Sequence, residues 1–321
     1  MLKPALTALT LAAAATLAHA QDKVTFLTSW YAQAEHGGYY QAIANGTYKK
    51  YGLDVTIKMG GPQVNAVQLL AAGQADFMMG KDLQTLTALS QGVPLTTVGA
   101  VFQKEPQGMV THTDVNTLAD LKTRTILVAT SGRTSWWPWL KAKYGFTDEQ
   151  TRPYTSNMQP FFNDKTMAQQ GYPGSEPYTA EQAGQKVKFF LFADEGYPPY
   201  GNTIVTLQKT AKDKPDMVQR FVKATLEGWK SYLDNPAAGN ALIKQDNPKM
   251  DDGTLAFAHR KMKELKFFDG GDAAKLGAGI MTDARWARTY EFMLASEQIK
   301  PLANWKDAYT LQFVKDVKVM P

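Results

Sequence analysis

The sequence predicts an α/β protein of two lobes, each built on a mostly parallel sheet covered by helices. Three observations support this prediction. The chain has 321 residues, which is more than one average domain. Short apolar segments alternate with segments of helical spacing, a pattern typical of parallel sheets with helices on both faces. Glycine or proline stands at most boundaries between these segments, where a chain turns most easily.

Residues 1–20 predict a secretory signal peptide and are left out of the fold. Lys3 supplies a positive start, residues 5–17 are apolar and uncharged, and residues 18–20 read Ala-His-Ala, a small-x-small cleavage site. The alternative is a membrane anchor, but this apolar run is short for a span of about 20 residues. We therefore expect cleavage between Ala20 and Gln21 and a periplasmic location.

Composition argues against several classes of function. The sequence has no cysteine, so we expect no disulfide, no lipid attachment, no thiol nucleophile and no iron–sulfur cofactor. The formal net charge is +5 and no block of basic residues occurs, which argues against nucleic acid as a partner. His36, His112 and His259 share no metal-ligand spacing, so neither a metal nor another cofactor is expected. We expect a monomer.

After the leader, the chain alternates between strand and helix patterns. The expected strands span 24–27, 53–57, 75–79 and 95–102, and the expected helices span 39–50, 65–72 and 83–90. Gly52 and Gly73 follow the first two helices at positions that suit a C-cap. This series predicts the sheet of the first lobe.

A second, shorter series follows and leads into a helical tail. Its expected strands span 107–111, 125–129, 152–156 and 187–192, with helices at 118–122, 136–144, 160–170 and 178–184. A further strand is expected at 203–207, followed by helices that begin at Asp213 and include 253–266, 283–297 and 307–317. Pro215 suits the first turn of the first tail helix.

This order predicts one discontinuous lobe of residues 21–110 and 203–321, which carries the tail, and an inserted second lobe of residues 111–202. The chain is expected to cross between the lobes near 107–115 and 198–206. These crossings are the expected hinges. Two lobes joined by two strands can open and close around a small ligand.

Five segments carry a resemblance to a known family: SWYAQAEHGGYYQAIANGTYKKYGLDV, VNAVQLLAAGQADFMMG, LADLKTRTILV, QQGYPGSEPY and ADEGYPPYGNTIV. They resemble the periplasmic substrate-binding proteins of ABC transporters, in the branch for nitrate, sulfonates, taurine and the pyrimidine precursor of thiamine. The resemblance covers nearly all of the mature chain. It implies a type II binding-protein fold with two crossover hinge strands, which delivers a captured solute to a membrane permease and its ATPase.

The turn after the first strand is the first candidate wall of a binding site. Trp30 and Tyr31 lie where that strand ends, at the edge where open α/β sheets bind ligands, and their flat rings suit a planar ligand. The alternative for Trp30 is to cover the edge of the core. His36 lies in the turn that touches ligand in the family, and Gly37 and Gly38 allow backbone to approach closely. A hydrogen-bonded structural histidine is the alternative.

Two further turns offer positive groups. Lys81 follows the third strand and is a candidate partner for an anion, unless it is a surface lysine at a helix start. Ser131, Arg133 and Thr134 precede the helix 136–144, whose free N–H groups would make an anion site beside Arg133. An inter-lobe ion pair is the alternative for Arg133.

The same helix carries three tryptophans and a proline. Pro138 has no N–H and must lie in the first turn, so the expected N-cap is Thr134 or Ser135. Trp136, Trp137 and Trp139 cannot all be buried on one face of a helix, so one of them is expected to reach the cleft.

The opposite wall is expected on the segment 171–178. Glu176, held between Ser175 and Pro177, is a candidate acceptor for an amino or ring N–H of a heterocycle, with Tyr172 stacking on the ring. The alternative for Glu176 is a solvated loop residue. Tyr200, at the second crossing, either lines the pocket or stiffens the crossing.

These residues predict a solute-binding protein rather than an enzyme. Eukaryotic pyrimidine synthases resemble the same family but need a cysteine-rich segment and a histidine, and this chain has no cysteine and no histidine in the helix after Lys81. The aromatics and Glu176 favour a planar nitrogen heterocycle such as the thiamine pyrimidine precursor. Arg133, Lys81 and the helix N-terminus favour a small anion such as a sulfonate, nitrate or an aromatic carboxylate. We prefer the heterocycle; a sensor protein of the same fold has the same sequence signs.

Overall fold

Two five-stranded sheets and their covering helices make up the fold of the computed structural model, which describes residues 21–61, 64–133 and 135–320. The predicted signal peptide lies outside these residues. In chain order the strands are β1 (Asp22–Leu27), β2 (Leu53–Lys58), β3 (Phe77–Gly80), β4 (Leu95–Phe102), β5 (Gly108–His112), β6 (Thr125–Val128), β7 (Thr151–Pro153), β8 (Met167–Gly171), β9 (Val187–Leu191) and β10 (Gly201–Leu207).

The helices lie between the strands and in a long C-terminal tail. They are α1 (Gly37–Ala44), α2 (Thr47–Lys50), α3 (Ala66–Ala71), α4 (Asp82–Ser90), α5 (Thr130–Arg133), α6 (Trp137–Tyr144), α7 (Gln159–Asn163), α8 (Glu176–Gln182), α9 (Gln208–Asp213), α10 (Pro215–Asp234), α11 (Ala237–Asp246), α12 (Asp252–Glu264), α13 (Ala273–Leu276) and α14 (Asp283–Ala295). Shorter 3-10 turns span Ala34–His36, Leu118–Thr123, Asp148–Gln150 and Trp305–Ala308.

Both sheets are mixed and have related topologies. The first has the order β2-β1-β3-β10-β4, with β1 parallel to β2 and β3, and β10 antiparallel to both of its neighbours. The second has the order β7-β6-β8-β5-β9, with β6 parallel to β7 and β8, and β5 antiparallel to β8 and β9. Each sheet therefore receives its antiparallel strand, β10 or β5, directly from the other sheet.

The chain passes between the two sheets at 103–107 and at 192–200. Both crossings come earlier than the expected 107–115 and 198–206, because residues 108–112 and 201–207 are paired strands. The two-sheet α/β architecture and the helical C-terminal region confirm the predicted fold class. The division into lobes at 21–110 with 203–321 and at 111–202 stays a prediction.

The tail helix α10 supplies much of the core on one face of the first sheet. Phe221 and Trp229 are fully buried, eight positions apart on one side of the helix. Phe221 stacks on Phe77 of β3 with ring centroids 4.1 Å apart, and Trp229 meets Phe102 of β4 at 5.0 Å. Because burial of each such ring contributes about 2–3 kcal/mol, the tail is part of the first sheet's core.

Two expected helices are wrong. The segment 160–170 ends as a helix at Asn163 and continues as β8, a central strand of the second sheet in which Ala168 and Gln169 are fully buried. The segment 307–317 has no regular helix beyond its 3-10 turn. Tyr309 is extended there, forms a bridge with Thr97 of β4 and stacks on the ring of Trp286. The helix expected at 39–50 is split by Gly46, whose φ is +73°.

Gly37 and Gly38 were expected to let the backbone approach a ligand, but in the structure they face helix α10. A Cβ at Gly37 would lie 2.1 Å from Cζ of Tyr232, and a Cβ at Gly38 would lie 2.1 Å from Cγ of Trp229. Neither glycine lines the large cavity described below. They are therefore needed for close packing of α1 on α10, which fixes the turn that precedes α1.

Replacement of Gly38 by alanine is expected to lower the free energy of unfolding by about 1–3 kcal/mol, the usual cost of overpacking a dense core. The added methyl would overlap the Trp229 ring, which is fully buried and packs against Phe102 of β4. Urea denaturation of the purified protein measures this change. An unchanged midpoint and slope would show that α1 and α10 do not pack as closely as described.

Candidate functional site

A cavity of about 1270 Å³ lies between the two sheets. Its walls come from the turns that follow β1 and β3, from the first crossing, and from the segments around β6 and β8. These are the places where the predicted ligand-binding turns lie, because carboxyl ends of parallel strands meet at one edge of a sheet. The cavity is therefore the candidate site.

Trp30 and Tyr31 form an aromatic wall of this cavity. Their ring centroids are 5.6 Å apart with an interplanar angle of 65°. Trp30 is half-buried, and Tyr31 is 44% exposed, an unusual exposure for a large aromatic ring beside a core. Both rings thus have free surface that a flat ligand can cover.

His36 lines the cavity and is fully buried, and neither of its ring nitrogens has a hydrogen-bond partner among the described residues. Burial lowers the pKa of His36 to about 3, so the ring is neutral at physiological pH. A neutral imidazole offers one donor and one acceptor. The structure therefore does not support the alternative interpretation, in which His36 is a structural residue held by hydrogen bonds.

Glu35, which sequence reasoning missed, lies beside His36 in the cavity wall and is 4% exposed. Burial raises its pKa to about 7, with a smaller contribution from the charge of Glu176 across the cavity. A Cβ at Gly174, in the turn before α8, would lie 2.9 Å from the Glu35 Oε1. The first turn and the opposite wall thus approach each other here.

Lys81 lines the cavity but is already paired. Its Nζ lies 2.9 Å from Oε1 of Glu105, a residue of the first crossing whose side chain is 1% exposed. Lys81 is the N-cap residue of α4, so it lies at a helix start as the alternative interpretation had it. Its side chain is 24% exposed. Because a carboxylate already neutralises the ammonium, Lys81 is a weaker anion site than the sequence indicated.

The opposite wall is built around a buried carboxylate. Glu176 is 8% exposed and lies in the first turn of α8. Its Oε1 accepts a hydrogen bond from the Tyr154 hydroxyl at 2.5 Å, and its Oε2 accepts from the Tyr172 N–H and the Ser175 hydroxyl, each at 2.7 Å. Glu176 is therefore not a solvated loop residue. It fixes the turn 172–175 and also faces the cavity.

Tyr172 connects this wall to the first crossing. Its ring lines the cavity, and its hydroxyl donates to Oε1 of Glu105 at 3.4 Å. Burial raises the pKa of Tyr172 well above its ordinary value, and the charges of Glu105, Glu35 and Glu176 raise it further. The phenol is therefore protonated, and three carboxylates surround it.

Two predicted site residues, Arg133 and Tyr200, do not line the cavity. Arg133 is half-buried and lies near Asp148, whose pKa is lowered chiefly by a hydrogen bond from Trp137 and least by the Arg133 charge. Tyr200 is fully buried away from the cavity, where its hydroxyl accepts from the Thr282 N–H at 3.1 Å. Ser131 lies in α5. The side chain of Ser131 and the whole of Thr134 lie outside the described residues.

Tyr200 therefore stiffens the second crossing, which was the second of the two roles considered for it. The Arg285 guanidinium lies over its ring at 4.3 Å from the centroid. Its backbone N–H donates to the buried Asp82 carboxylate at 3.1 Å, which also accepts from the Thr289 hydroxyl at 3.0 Å. These contacts tie the crossing to α4 and to the tail helix α14.

As predicted, the three tryptophans are not buried on one face of the helix, and one of them, Trp136, reaches the cavity. All three are nonetheless buried, with exposures of 1%, 1% and 6%, because the second crossing contacts Trp136 and Trp139 and the 3-10 turn at 148–150 contacts Trp137. The N-cap of α6 is Trp136 rather than Thr134 or Ser135, and Pro138 lies in the first turn as predicted.

The site thus combines an aromatic wall with a floor of hydrogen-bond acceptors. Three carboxyl groups (Glu35, Glu105 and Glu176) line it; Lys81 is paired with Glu105, and Glu35, with a pKa raised by burial to about 7, is partly protonated at neutral pH. Such a floor suits a ligand that donates hydrogen bonds and disfavours an anion. No group of three histidine, aspartate or glutamate residues in the described part of the chain is placed to hold a metal ion.

Solved structures of periplasmic binding proteins share this fold. The periplasmic aliphatic sulphonate binding protein SsuA from Escherichia coli matches with a TM-score of 0.65 at 14% identity, covering 89% of this chain and 91% of that one. The alkanesulfonate-binding protein SsuA from Xanthomonas axonopodis pv. citri matches with a TM-score of 0.65 at 15% identity, covering 91% and 99%. The fold is therefore that of periplasmic binding proteins.

Residues 33–239 match the family model described as NMT1/THI5 like, and the chain belongs to this family. It is 27% identical over 305 residues to the riboflavin-binding protein RibY of Chloroflexus aurantiacus, covering 91% of this chain and 86% of that protein. It is 24% identical over 274 residues to the formylaminopyrimidine-binding protein of Halalkalibacterium halodurans, covering 80% and 82%. The predicted family is confirmed.

An enzyme matches over a much shorter segment. The 4-amino-5-hydroxymethyl-2-methylpyrimidine phosphate synthase of Aspergillus parasiticus is 28% identical over 101 residues, which is 32% of this chain and 30% of that protein. RibY and the formylaminopyrimidine-binding protein, which match over most of their length, are named as binding proteins. None of the helices in the described residues combines the length and apolarity that a membrane span requires.

Proposed function

We propose that this protein is the solute-binding component of an ABC import system and captures a planar nitrogen heterocycle between its two lobes. The cavity between the sheets is the observation that carries the proposal, because an aromatic wall and a floor of acceptors face each other across it. The rings of Trp30 and Tyr31 would cover the flat face of the ligand. Glu176 would accept from a ring or amino N–H.

The crossings at 103–107 and 192–200 would act as hinges for closure. We further propose that the protein is an exported periplasmic monomer, and that the closed form docks on a membrane permease with its ATPase. The names of the relatives support a heterocyclic solute, since one is a riboflavin-binding protein and another a formylaminopyrimidine-binding protein.

We propose no catalytic activity. The chain has no cysteine for the cysteine-rich segment of the synthases, and its match to them spans about a third of its length. In the described part of the chain no hydroxyl is hydrogen-bonded to His36, so the site lacks a hydroxyl–imidazole pair.

The size of the cavity favours another candidate ligand, a heterocycle larger than a pyrimidine. Pockets for drug-sized ligands hold about 300–1,000 Å³, and this one has about 1270 Å³. A three-ring flavin would fill more of that volume than a single pyrimidine ring. The anion alternative has less support, because Lys81 is paired with Glu105 and Arg133 lies outside the cavity lining.

A thermal-shift screen of the purified mature protein tests the proposal. The ligands are 4-amino-5-hydroxymethyl-2-methylpyrimidine, riboflavin and methanesulfonate. A heterocycle present at a hundred times its Kd adds about 2.7 kcal/mol to the free energy of unfolding, so we expect a Tm increase of about 5 °C or more. Stabilisation by methanesulfonate alone would reject the heterocycle.

A further inference from the structure

Glu105 occupies an unusual position for a carboxylate. It lies in the first crossing between the sheets, lines the cavity and is 1% exposed. One oxygen, Oε1, lies 2.9 Å from the Lys81 Nζ and 3.4 Å from the Tyr172 hydroxyl. The other, Oε2, is buried and has no hydrogen-bond partner among the described residues.

Buried polar atoms in native proteins almost always have a partner, and an unpaired one costs the free energy of its desolvation. Here the unpaired oxygen is not alone, since both ring nitrogens of His36 in the same cavity also have no partner in the described part of the chain. Two independent buried groups on one cavity thus have unused hydrogen-bonding capacity. A bound ligand is the simplest group that would complete both.

The chemistry of the missing partner follows from what surrounds Glu105. A carboxylate accepts hydrogen bonds and cannot donate them when ionised. Lys81 supplies the neighbouring positive charge and is engaged at Oε1, while Glu176 lines the same cavity and Glu35, whose pKa burial raises to about 7, is partly charged at neutral pH. The partner of Oε2 must therefore be a donor, and an acceptor or an anion at this position would be repelled.

We propose that Glu105 is a specificity-determining residue that selects heterocycles presenting an N–H group, either an exocyclic amino group or a ring N–H, toward the first crossing. This inference rests on the proposed function and narrows its ligand class. Because Glu105 lies on the crossing itself, the hydrogen bond would join the ligand to the hinge as well as to the two walls.

The test compares ligands that differ by a single donor. For the wild type we expect 4-amino-5-hydroxymethyl-2-methylpyrimidine to bind about 10- to 100-fold more tightly than 5-hydroxymethyl-2-methylpyrimidine, which lacks the amino group, since hydrogen bonds to charged groups have this strength. If riboflavin is the heterocycle that binds, riboflavin and 3-methylriboflavin, which lacks the ring N–H, form the matched pair. Titration calorimetry gives both affinities.

The variant Glu105→Gln should remove this preference. Affinity for the donor ligand is expected to fall about 10- to 100-fold, and affinity for the analogue without the donor to change less than threefold. The control is Glu149→Gln, at an exposed glutamate in the 3-10 turn before β7, and it should leave both affinities unchanged. The comparison of two ligands on one variant separates recognition from an altered fold.

Two results would overturn the inference. Equal loss of both ligands in Glu105→Gln would mean that Glu105 acts only through Lys81 and Tyr172, and the proposed function would stand. A wild type that binds the ligand pair equally would likewise reject Glu105 as the selecting residue. Failure of every heterocycle to bind the wild type would reject the proposed function, and the inference with it.

Discussion

Replacement of Glu176 by alanine is expected to weaken heterocycle binding at least 100-fold. The side chain accepts hydrogen bonds from the Tyr154 hydroxyl, the Tyr172 N–H and the Ser175 hydroxyl, so its removal frees the turn that carries Tyr172 into the cavity. It also removes the acceptor proposed for the ligand. Both losses act on the bound state, and hydrogen bonds to a charged group are worth about 1.5–3 kcal/mol each.

The variant Glu176→Gln separates these two effects. A glutamine oxygen can replace Oε2 toward the Tyr172 N–H, and the Tyr154 hydroxyl can rotate to accept from the amide, so the turn is expected to persist. Binding should then fall about 10-fold rather than 100-fold. Glu181→Ala, on the exposed side of the same helix, is the control. Unchanged affinity in Glu176→Ala would remove this residue from the site.

Replacement of Trp229 by alanine is expected to lower the free energy of unfolding by about 3–5 kcal/mol, the range for deletion of a buried aromatic ring. The indole is fully buried and packs on Phe102, Tyr39 and Tyr232, with centroid distances of 5.0, 5.8 and 5.8 Å. It therefore joins the first sheet, helix α1 and the tail. Urea or thermal unfolding measures the loss.

Two further variants examine the origin of that loss. Trp229→Phe keeps most of the ring and removes a buried indole N–H that has no hydrogen-bond partner among the described residues, so its cost should stay below about 1.5 kcal/mol. In the Trp229→Ala background, Gly38→Ala should cost little, because the space that the new methyl needs is free. Additive costs of the two substitutions would contradict the close packing of α1 on α10.

Local sequence patterns predicted most of the elements but not those that depend on distant contacts. Apolar strands such as β4 and β6 carry their own signal, because every residue of β4 is buried. Strand β8 reads Met-Ala-Gln-Gln-Gly, and its glutamines conceal a central strand whose Gln169 is fully buried. The packing of Gly38 on Trp229 joins residues far apart in sequence, so no local pattern could reveal it.

The same limit applies to the site. The rule that ligands bind at strand ends places Trp30, Tyr31, His36 and Lys81 on the cavity, and the resemblance adds Tyr172 and Glu176. Arg133 was expected beside them because it precedes a helix in a turn that touches ligand in the resembled family, but the side on which it lies depends on tertiary packing. Glu105 was missed because a glutamate before a proline in a crossing has no distinctive pattern. Its burial between Lys81 and Tyr172 is visible only in three dimensions.

Titration calorimetry of the wild-type protein with three ligands tests the central claim most directly. At neutral pH we predict that 4-amino-5-hydroxymethyl-2-methylpyrimidine or riboflavin binds one site per chain with a micromolar or lower Kd, and that methanesulfonate gives no heat of binding. Saturable binding of methanesulfonate, with no binding of either heterocycle, would contradict the claim that an aromatic wall and a floor of acceptors define the ligand.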